Sequence, residues 1–142
     1  MVNNNLNNNM YICLAMPNLV KVFNDHLIDF LDDVRSIFSE NTDLQTGYTF
    51  IIGIKKVNPK SLIKIWKISI NDIYLDKIKE GDMDFFLNKD YSYDIPMQSS
   101  NVLTIIEDIK VLLRGTTTEN KNKSLKYVQN LCKICKLYYD TK

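Results

Sequence analysis

Alanine and arginine are nearly absent from this chain of 142 residues, which contains one Ala and two Arg. It has four Gly and three Pro, and its uninterrupted apolar runs stay far below the roughly 18 residues that a membrane helix needs. Three cysteines, an odd number, argue against the disulfide framework of a small secreted domain. The short apolar run at 10–16 has no basic start and no cleavage site. We therefore expect no export signal and a soluble protein in a reducing, intracellular setting.

Isoleucine, lysine and asparagine are abundant instead, with 17, 16 and 16 copies. All three have A/T-rich codons, so this excess indicates the base composition of the genome more than a structural need. A net charge of +1 gives no overall attraction to nucleic acid or to anionic lipid. A uniformly basic binding protein is therefore excluded.

The composition predicts a globular, mainly α protein. Hydrophobic residues make up 45% of the chain and charged residues 25%, and the length suits one domain with one core. The Asn-rich tract 1–9 has little to bury, so we expect it to be disordered. We expect residues 10–142 to form a single domain, a small helical bundle of about 4–6 helices.

The clearest predicted helix covers residues 18–38, where apolar residues share one arc and acidic residues share the opposite one. Asn18 is its expected N-cap. Near the other end of the chain, Ser100 precedes an apolar helical pattern that Gly115 ends. The capping-box pattern at 116–119 then begins the last helix.

The middle of the chain allows two interpretations. Residues 43–57 have helical spacing, but two glycines and several β-branched residues weaken a helix there. Asn58 and Pro59 look like the N-cap and first residue of a further helix, which Gly81 ends. A minor β-hairpin within 48–70 remains the alternative.

Two groups of polar residues resemble chemical sites only weakly. Cys132 and Cys135 have the CxxC spacing of zinc or thiol-exchange sites, but no second pair of ligands accompanies them. The simpler interpretation is two small residues one turn apart on a buried helix face. His26, Asp29 and Asp33 share a helix edge, as residues of a solvated face do. The chain has no phosphate-binding or hydrolase motif, so we expect no enzyme activity, no cofactor and no small-molecule substrate.

Charge is distributed unevenly along the chain. Residues 55–67 hold five Lys and no acid, and residues 118–142 hold six Lys against two acids, whereas residues 71–95 hold seven acids against three Lys. Basic helix faces can follow phosphates, although arginine, the main base-reading residue, is scarce. The candidate nucleic-acid contacts are Lys55, Lys56, Lys60, Lys64, Lys67, Lys123, Lys126, Lys133 and Lys136.

Aromatic residues among acids mark a candidate partner contact within the segment 82–98, which we expect to be a short helical turn followed by irregular chain. Exposed aromatic residues often dominate the binding energy of an interface. The candidates are Phe85, Phe86, Tyr91 and Tyr93. In the alternative, Phe85 and Phe86 close one end of the bundle.

Three stretches carry a resemblance to a known group: FNDHLIDFLDD at 23–33, GDMDFFLNKDY at 81–91 and ENKNKSLKYVQNLC at 119–132. Together they resemble small uncharacterised proteins encoded by giant, mimivirus-like DNA viruses, and the Ile, Lys and Asn excess is similar to that of such genomes. The resemblance implies a place in the host cytoplasm, at the viral replication site, or in the virion.

The function that we expect from these observations is a non-enzymatic one. The chain is predicted to be a viral protein-interaction protein, or a structural protein of the virion or virus factory, with a protein partner or self-association. The alternative is a nucleic-acid-associated protein that uses the Lys-rich helix faces.

Overall fold

The fold is known from a computed structural model, which describes residues 18–90, 92 and 100–141. Those residues form six helices and no strand, which confirms the prediction of a mainly α bundle of about 4–6 helices. None of these helices is long and apolar enough to cross a membrane. The Asn-rich tract 1–9 lies outside the described residues. The helices are α1 (Leu19–Ile37), α2 (Thr42–Val57), α3 (three consecutive stretches, Lys60–Trp66, Lys67–Asn71 and Asp72–Glu80), α4 (Met83–Asn88), α5 (Ser100–Arg114) and α6 (Thr118–Asp140).

Helix α1 is the amphipathic helix that the sequence predicted at 18–38. Its apolar arc is buried, and the core contacts of this arc include Phe23, Phe30 and Val34. Asn18 stands at the N-cap position, but its side chain makes no capping hydrogen bond. The helix is therefore held mainly by burial of one face rather than by its cap.

The β-hairpin alternative within 48–70 is wrong, because both halves of this segment are helical. The side chain of Asn41 accepts a hydrogen bond from Leu44 N at 2.8 Å and so caps α2. Only Asn58 and Pro59 separate α2 from α3, and the side chain of Asn58 accepts from Lys60 N at 3.3 Å where α3 begins. Ile51 and Ile63 are buried in the same core, so packing outweighs the β propensity of these branched residues.

Helix α3 is continuous but irregular. Its middle stretch, Lys67–Asn71, is a π-helical turn, which accommodates one extra residue and rotates the side chains that follow. The helix ends at Gly81, which has φ +75° and thus adopts the left-handed conformation predicted for a glycine C-cap.

Side-chain caps start the two helices that follow the predicted turn signals. Asp82 accepts from Phe85 N at 3.0 Å and begins the short α4. Thr117 accepts from Asn120 N at 3.1 Å and begins α6. The cap of α6 therefore lies one residue later than the capping-box pattern at 116–119 indicated, because Thr117 has the extended backbone of an N-cap. The hydroxyl of Thr116 instead accepts from the side chain of Asn120 at 2.8 Å.

Helix α6 packs on α1 and on all three stretches of α3. It is antiparallel to α1, because Lys123 pairs with Asp33 and Tyr127 contacts His26, and antiparallel to α3, because Gln129 contacts Ile78 and Cys135 contacts Ile63. Its fully buried residues Leu131 and Cys135 belong to the main core, and Cys132 belongs to a second cluster beside the C-terminal half of α3. Helix α2 covers α1 and α3, and α5 packs on α2 and α4. The buried side chain of Asn24 donates to the carbonyl of Pro59 at 3.0 Å and fixes the α2–α3 junction on α1.

Candidate interaction surfaces and an apolar cavity

The aromatic pair of α4 packs inward. The rings of Phe85 and Phe86 lie 6.3 and 6.1 Å from the ring of Tyr74, centre to centre, and 5.3 Å from each other. Both side chains are half-buried against the second cluster. This geometry fits the alternative in which the pair closes one end of the bundle. Tyr91 and Tyr93 lie outside the described residues.

Four of the nine candidate lysines are engaged by carboxylates of the same chain. Such pairs contribute little to stability at the surface, but each one reduces the positive charge available for a phosphate. The N–O distances are 3.9 Å for Lys55–Asp25, 2.9 Å for Lys67–Asp72, 2.8 Å for Lys123–Asp33 and 2.5 Å for Lys136–Asp140.

Both arginines also serve the fold. Arg35 donates to Gln45 Oε1 at 3.0 Å and lies 3.5 Å from the centre of the Tyr48 ring, so it joins the end of α1 to α2. Arg114 donates to the carbonyl oxygen of Leu87 and joins α5 to α4. Each guanidinium therefore makes at least one contact between two helices.

The candidate lysines do not all meet on one surface. Lys133 and Lys136 line a groove between α3 and α6, and Lys79, which the sequence analysis did not single out, lies beside them. Lys67 Nζ is 5.3 Å from the centre of the Tyr139 ring and thus reaches the same end of α6. Lys123 is 13 residues before Lys136, about 20 Å along the helix.

The CxxC pair of α6 lies in the core. Burial raises the pKa of Cys132 to about 11 and that of Cys135 to about 12, so both are thiols rather than thiolates at neutral pH. The thiol of Cys135 contacts the carbonyl oxygen of Ile63 at 3.8 Å. Within the described ranges, no group of three or more His, Cys, Asp or Glu residues is arranged to hold a metal ion.

The three residues of the His26 edge have separate surroundings. The His26 ring lies 5.1 Å from the Tyr127 ring, Asp33 pairs with Lys123, and Asp29 is exposed. An acid–base pair would need the imidazole and a carboxylate within hydrogen-bond reach. These contacts instead join α1 to α6.

The outer face of α2 is exposed, and its charged residues, Asp43 and Lys56, lie near its two ends. We call the uncharged residues of this face from Thr46 onward the α2 stripe, which consists of Thr46, Thr49, Phe50, Gly53 and Val57. Phe50 is 36% exposed and Val57 is 88% exposed, and no atom lies within 4 Å of the position that a Cβ of Gly53 would take. The hydroxyls of Thr46 and Thr49 donate to carbonyl oxygens of α2 itself, at 3.0 and 3.1 Å, so they are already satisfied.

Sequence reasoning missed the α2 stripe because it sought one apolar face per helix. The buried face of α2, which contains Leu44 and Ile51, already explained the helical pattern. Phe50 and Val57 stand seven residues apart, so they share a helix face, and that face is not the one that holds Leu44 and Ile51. This spacing could have indicated the stripe from the sequence.

Two adjoining apolar cavities lie between α3 and α5. Their volumes are about 150 and 100 Å³, and they share five lining residues. Ser69, in the π-helical turn, lines the smaller cavity and is 1% exposed, and its hydroxyl has no hydrogen-bond partner in the described part of the chain. The shared lining residues are Phe30, Trp66, Ile70, Ile106 and Ile109.

Comparison with protein-family models, with curated proteins and with solved structures finds no match to this chain. What can be said of its function therefore comes from its own residues and their geometry. Three features stand out there: the α2 stripe, the groove lined by Lys79, Lys133 and Lys136, and the paired apolar cavities.

Proposed function

We propose that this chain is a non-enzymatic interaction protein that self-associates through the α2 stripe. The observation that carries this proposal is the exposure of Phe50 and Val57 on one helix face whose charged residues, Asp43 and Lys56, lie near its two ends. Large apolar side chains that are exposed on the outer face of a peripheral helix leave apolar area in water, and association with another surface removes it.

A second copy of the chain is the partner that the α2 stripe suits. An antiparallel pair centred between Thr49 and Phe50 sets Thr46 of one copy at the level of Gly53 of the other, and the missing side chain of Gly53 allows the two helices to approach closely. The same arrangement sets the end of α2 that carries Asp43 beside the end that carries Lys56. Opposite charges and opposed helix dipoles both favour this orientation.

Light scattering coupled to size-exclusion chromatography, across a dilution series, tests the proposal. We expect a concentration-dependent dimer that Phe50→Glu converts to a monomer, because the substitution puts a charge at the centre of the stripe. Ile73→Glu is the matched control, since Ile73 on α3 is 46% exposed but lies outside the stripe. A wild-type chain that stays monomeric at every concentration, or equal loss in both variants, would contradict the proposal.

One observation favours a second candidate function, the binding of nucleic-acid phosphates in the α3–α6 groove. Lys79 and Lys133 both line this groove, and neither makes an ion pair with a residue that the structure describes. Fluorescence anisotropy with a single-stranded oligonucleotide would show binding that weakens steeply with salt and is lost in Lys79→Glu and Lys133→Glu. Lys56→Glu, on α2, is the control and should change little. Binding that survives both groove substitutions would remove this candidate.

The resemblance to giant-virus proteins supports a more specific setting for the interaction protein. On that resemblance alone, we propose that it acts in the host cytoplasm at the viral replication site or in the virion. Detection of the chain by mass spectrometry in purified virions, or in isolated replication sites, would support this setting. Its presence in neither fraction of infected cells would contradict it.

A further inference from the structure

The paired cavities have the properties of a binding site for a small apolar molecule. The lining is almost entirely apolar, and Trp66, Ile70 and Phe30 face both cavities. Both cavities are open to solvent on one side, which gives a ligand access, but water there finds few of the two to four polar partners that it needs. The larger cavity has about the volume, 150 Å³, of a closed apolar cavity in another protein that binds benzene, so a single six-membered ring is the size of ligand that it accepts.

Two lining residues carry buried polar groups that lack a hydrogen bond in the described part of the chain, the hydroxyl of Ser69 and the indole N–H of Trp66. The indole N–H lies beside the thiol of Cys132, which lines neither cavity, so the hydroxyl of Ser69 is the polar contact of the site. A serine inside a helix commonly returns its hydroxyl to a carbonyl one turn earlier, but Ser69 lies in the π-helical turn and makes no such bond. An unsatisfied buried hydroxyl costs free energy, and a ligand with one donor or acceptor recovers it. The neighbouring buried polar residue of the same turn, Asn71, instead donates to the carbonyl of Cys132 at 3.0 Å.

The charge nearest to the larger cavity is already neutralised. Lys110 lines it, but the ammonium is 3.3 Å from a carboxylate oxygen of Glu107 and also donates to the carbonyl of Lys89. A charged ligand would have to be desolvated without gaining a free counter-ion here. The lining therefore favours an uncharged ligand.

We propose that the paired cavities bind a small, uncharged, ring-containing molecule with one hydrogen-bonding group, whose ring packs on Trp66 and Phe30 and whose polar group contacts the hydroxyl of Ser69. This site is separate from the α2 stripe and does not depend on self-association. It gives the chain a ligand-binding activity in addition to the proposed interaction function.

Fluorescence of Trp66 measures occupancy directly, because it is the one tryptophan of the chain and lines both cavities. The probes are benzyl alcohol, toluene and benzoate. We expect saturable changes with benzyl alcohol and toluene and none with benzoate. Absence of a saturable response to either uncharged probe, or an equal response to benzoate, would overturn the proposal.

Matched variants then locate the site. Ile70→Phe fills both cavities and should abolish binding, whereas Ile68→Phe makes the same change two residues away at a 44% exposed position and should keep it. Ser69→Ala should weaken the binding of benzyl alcohol about fivefold, the change in affinity expected from the loss of one neutral hydrogen bond, and leave the affinity for toluene unchanged. Circular dichroism shows whether each variant folds. If Ile70→Phe does not fold, the Ser69→Ala comparison decides alone, and equal weakening of the two probes, or none, overturns the assignment of the polar contact.

Discussion

Two glycines of this chain should respond in opposite directions to the same substitution. Gly81 has φ +75° and ends α3, whereas Gly53 stands inside α2 with helical geometry and empty space around it. A methyl group added at Gly81 would meet Leu125 at 3.5 Å, which is an ordinary contact, so the cost there is conformational and not steric. A difference in stability between the two alanine substitutions would therefore be caused by backbone conformation and not by steric overlap.

The magnitudes follow from known backbone preferences. Left-handed geometry costs a non-glycine residue about 1–2 kcal/mol. The substitution also lowers the conformational entropy of the unfolded chain, which offsets part of this cost. We expect Gly81→Ala to lower the free energy of unfolding by about 1 kcal/mol. Gly53→Ala should raise it by about 0.5–1 kcal/mol, the difference between glycine and alanine in a helix interior.

Urea unfolding followed by far-ultraviolet circular dichroism measures both changes, and the corresponding shifts in Tm are about 2–4 °C in opposite directions. The samples should be dilute enough to be monomeric, because Gly53 belongs to the α2 stripe. Gly115→Ala is a useful third point, since its Cβ position is 3.8 Å from the nearest atom, a carbonyl oxygen. Shifts of the same sign for Gly53→Ala and Gly81→Ala would refute the reasoning.

Three further predictions concern the core and its titratable groups. Leu131→Ala should lower the free energy of unfolding by about 3 kcal/mol, measured in urea, because the side chain is fully buried at the centre of the bundle. At pH 8, iodoacetamide should label Cys132 and Cys135 only when the chain unfolds, since burial raises both pKa values to about 11 and 12; rapid labelling without denaturant would contradict this. Burial and two neighbouring carboxylates raise the pKa of Asp108, so its ionisation destabilises the fold as pH rises above the unfolded value of 3.8. Asp108→Asn should therefore stabilise the protein at pH 7 but not below pH 3, and equal stabilisation at both pH values would show another cause.

The helices could be predicted from sequence where burial and local chemistry agree. The apolar arc of 18–38 and the glycine at position 81 each point to the element that forms. Residues 48–70 were ambiguous because isoleucine favours strands in isolation, whereas the cap at Asn41 and the burial of Ile51 and Ile63 in one core are specific contacts that propensity does not weigh. A local cap and tertiary packing therefore decide what composition leaves open.

The candidate sites were harder to predict because they depend on which elements become neighbours. The sequence shows that lysine is frequent at 55–67 and after 118, but it does not show that Asp25 and Asp33 of α1 neutralise Lys55 and Lys123. The cavities lie where the side chains of α3 and α5 leave space between the two helices, and the residue pattern of a single helix does not show this space. Ion pairs between helices and cavities both depend on tertiary packing.

The π-helical turn connects the stability of this fold to its proposed ligand site. Two side-chain hydrogen bonds join α3 and α6 at and after this turn: Asn71, in the turn, donates to the carbonyl of Cys132 at 3.0 Å, and Gln129 donates to the carbonyl of Ile78, near the end of α3, at 2.9 Å. Ser69 is the residue of that turn whose hydroxyl lacks a partner in the described part of the chain.

If the hydroxyl of Ser69 serves a ligand, its removal should affect stability and binding in opposite directions. Ser69→Ala deletes an unsatisfied buried group, so we expect the free energy of unfolding of the ligand-free protein to rise by about 1 kcal/mol, while binding of benzyl alcohol weakens. A hydroxyl that only supported the fold would give the reverse result, a less stable variant. Urea unfolding of Ser69→Ala without and with benzyl alcohol separates the two cases, because the added ligand should stabilise the wild-type chain more than the variant.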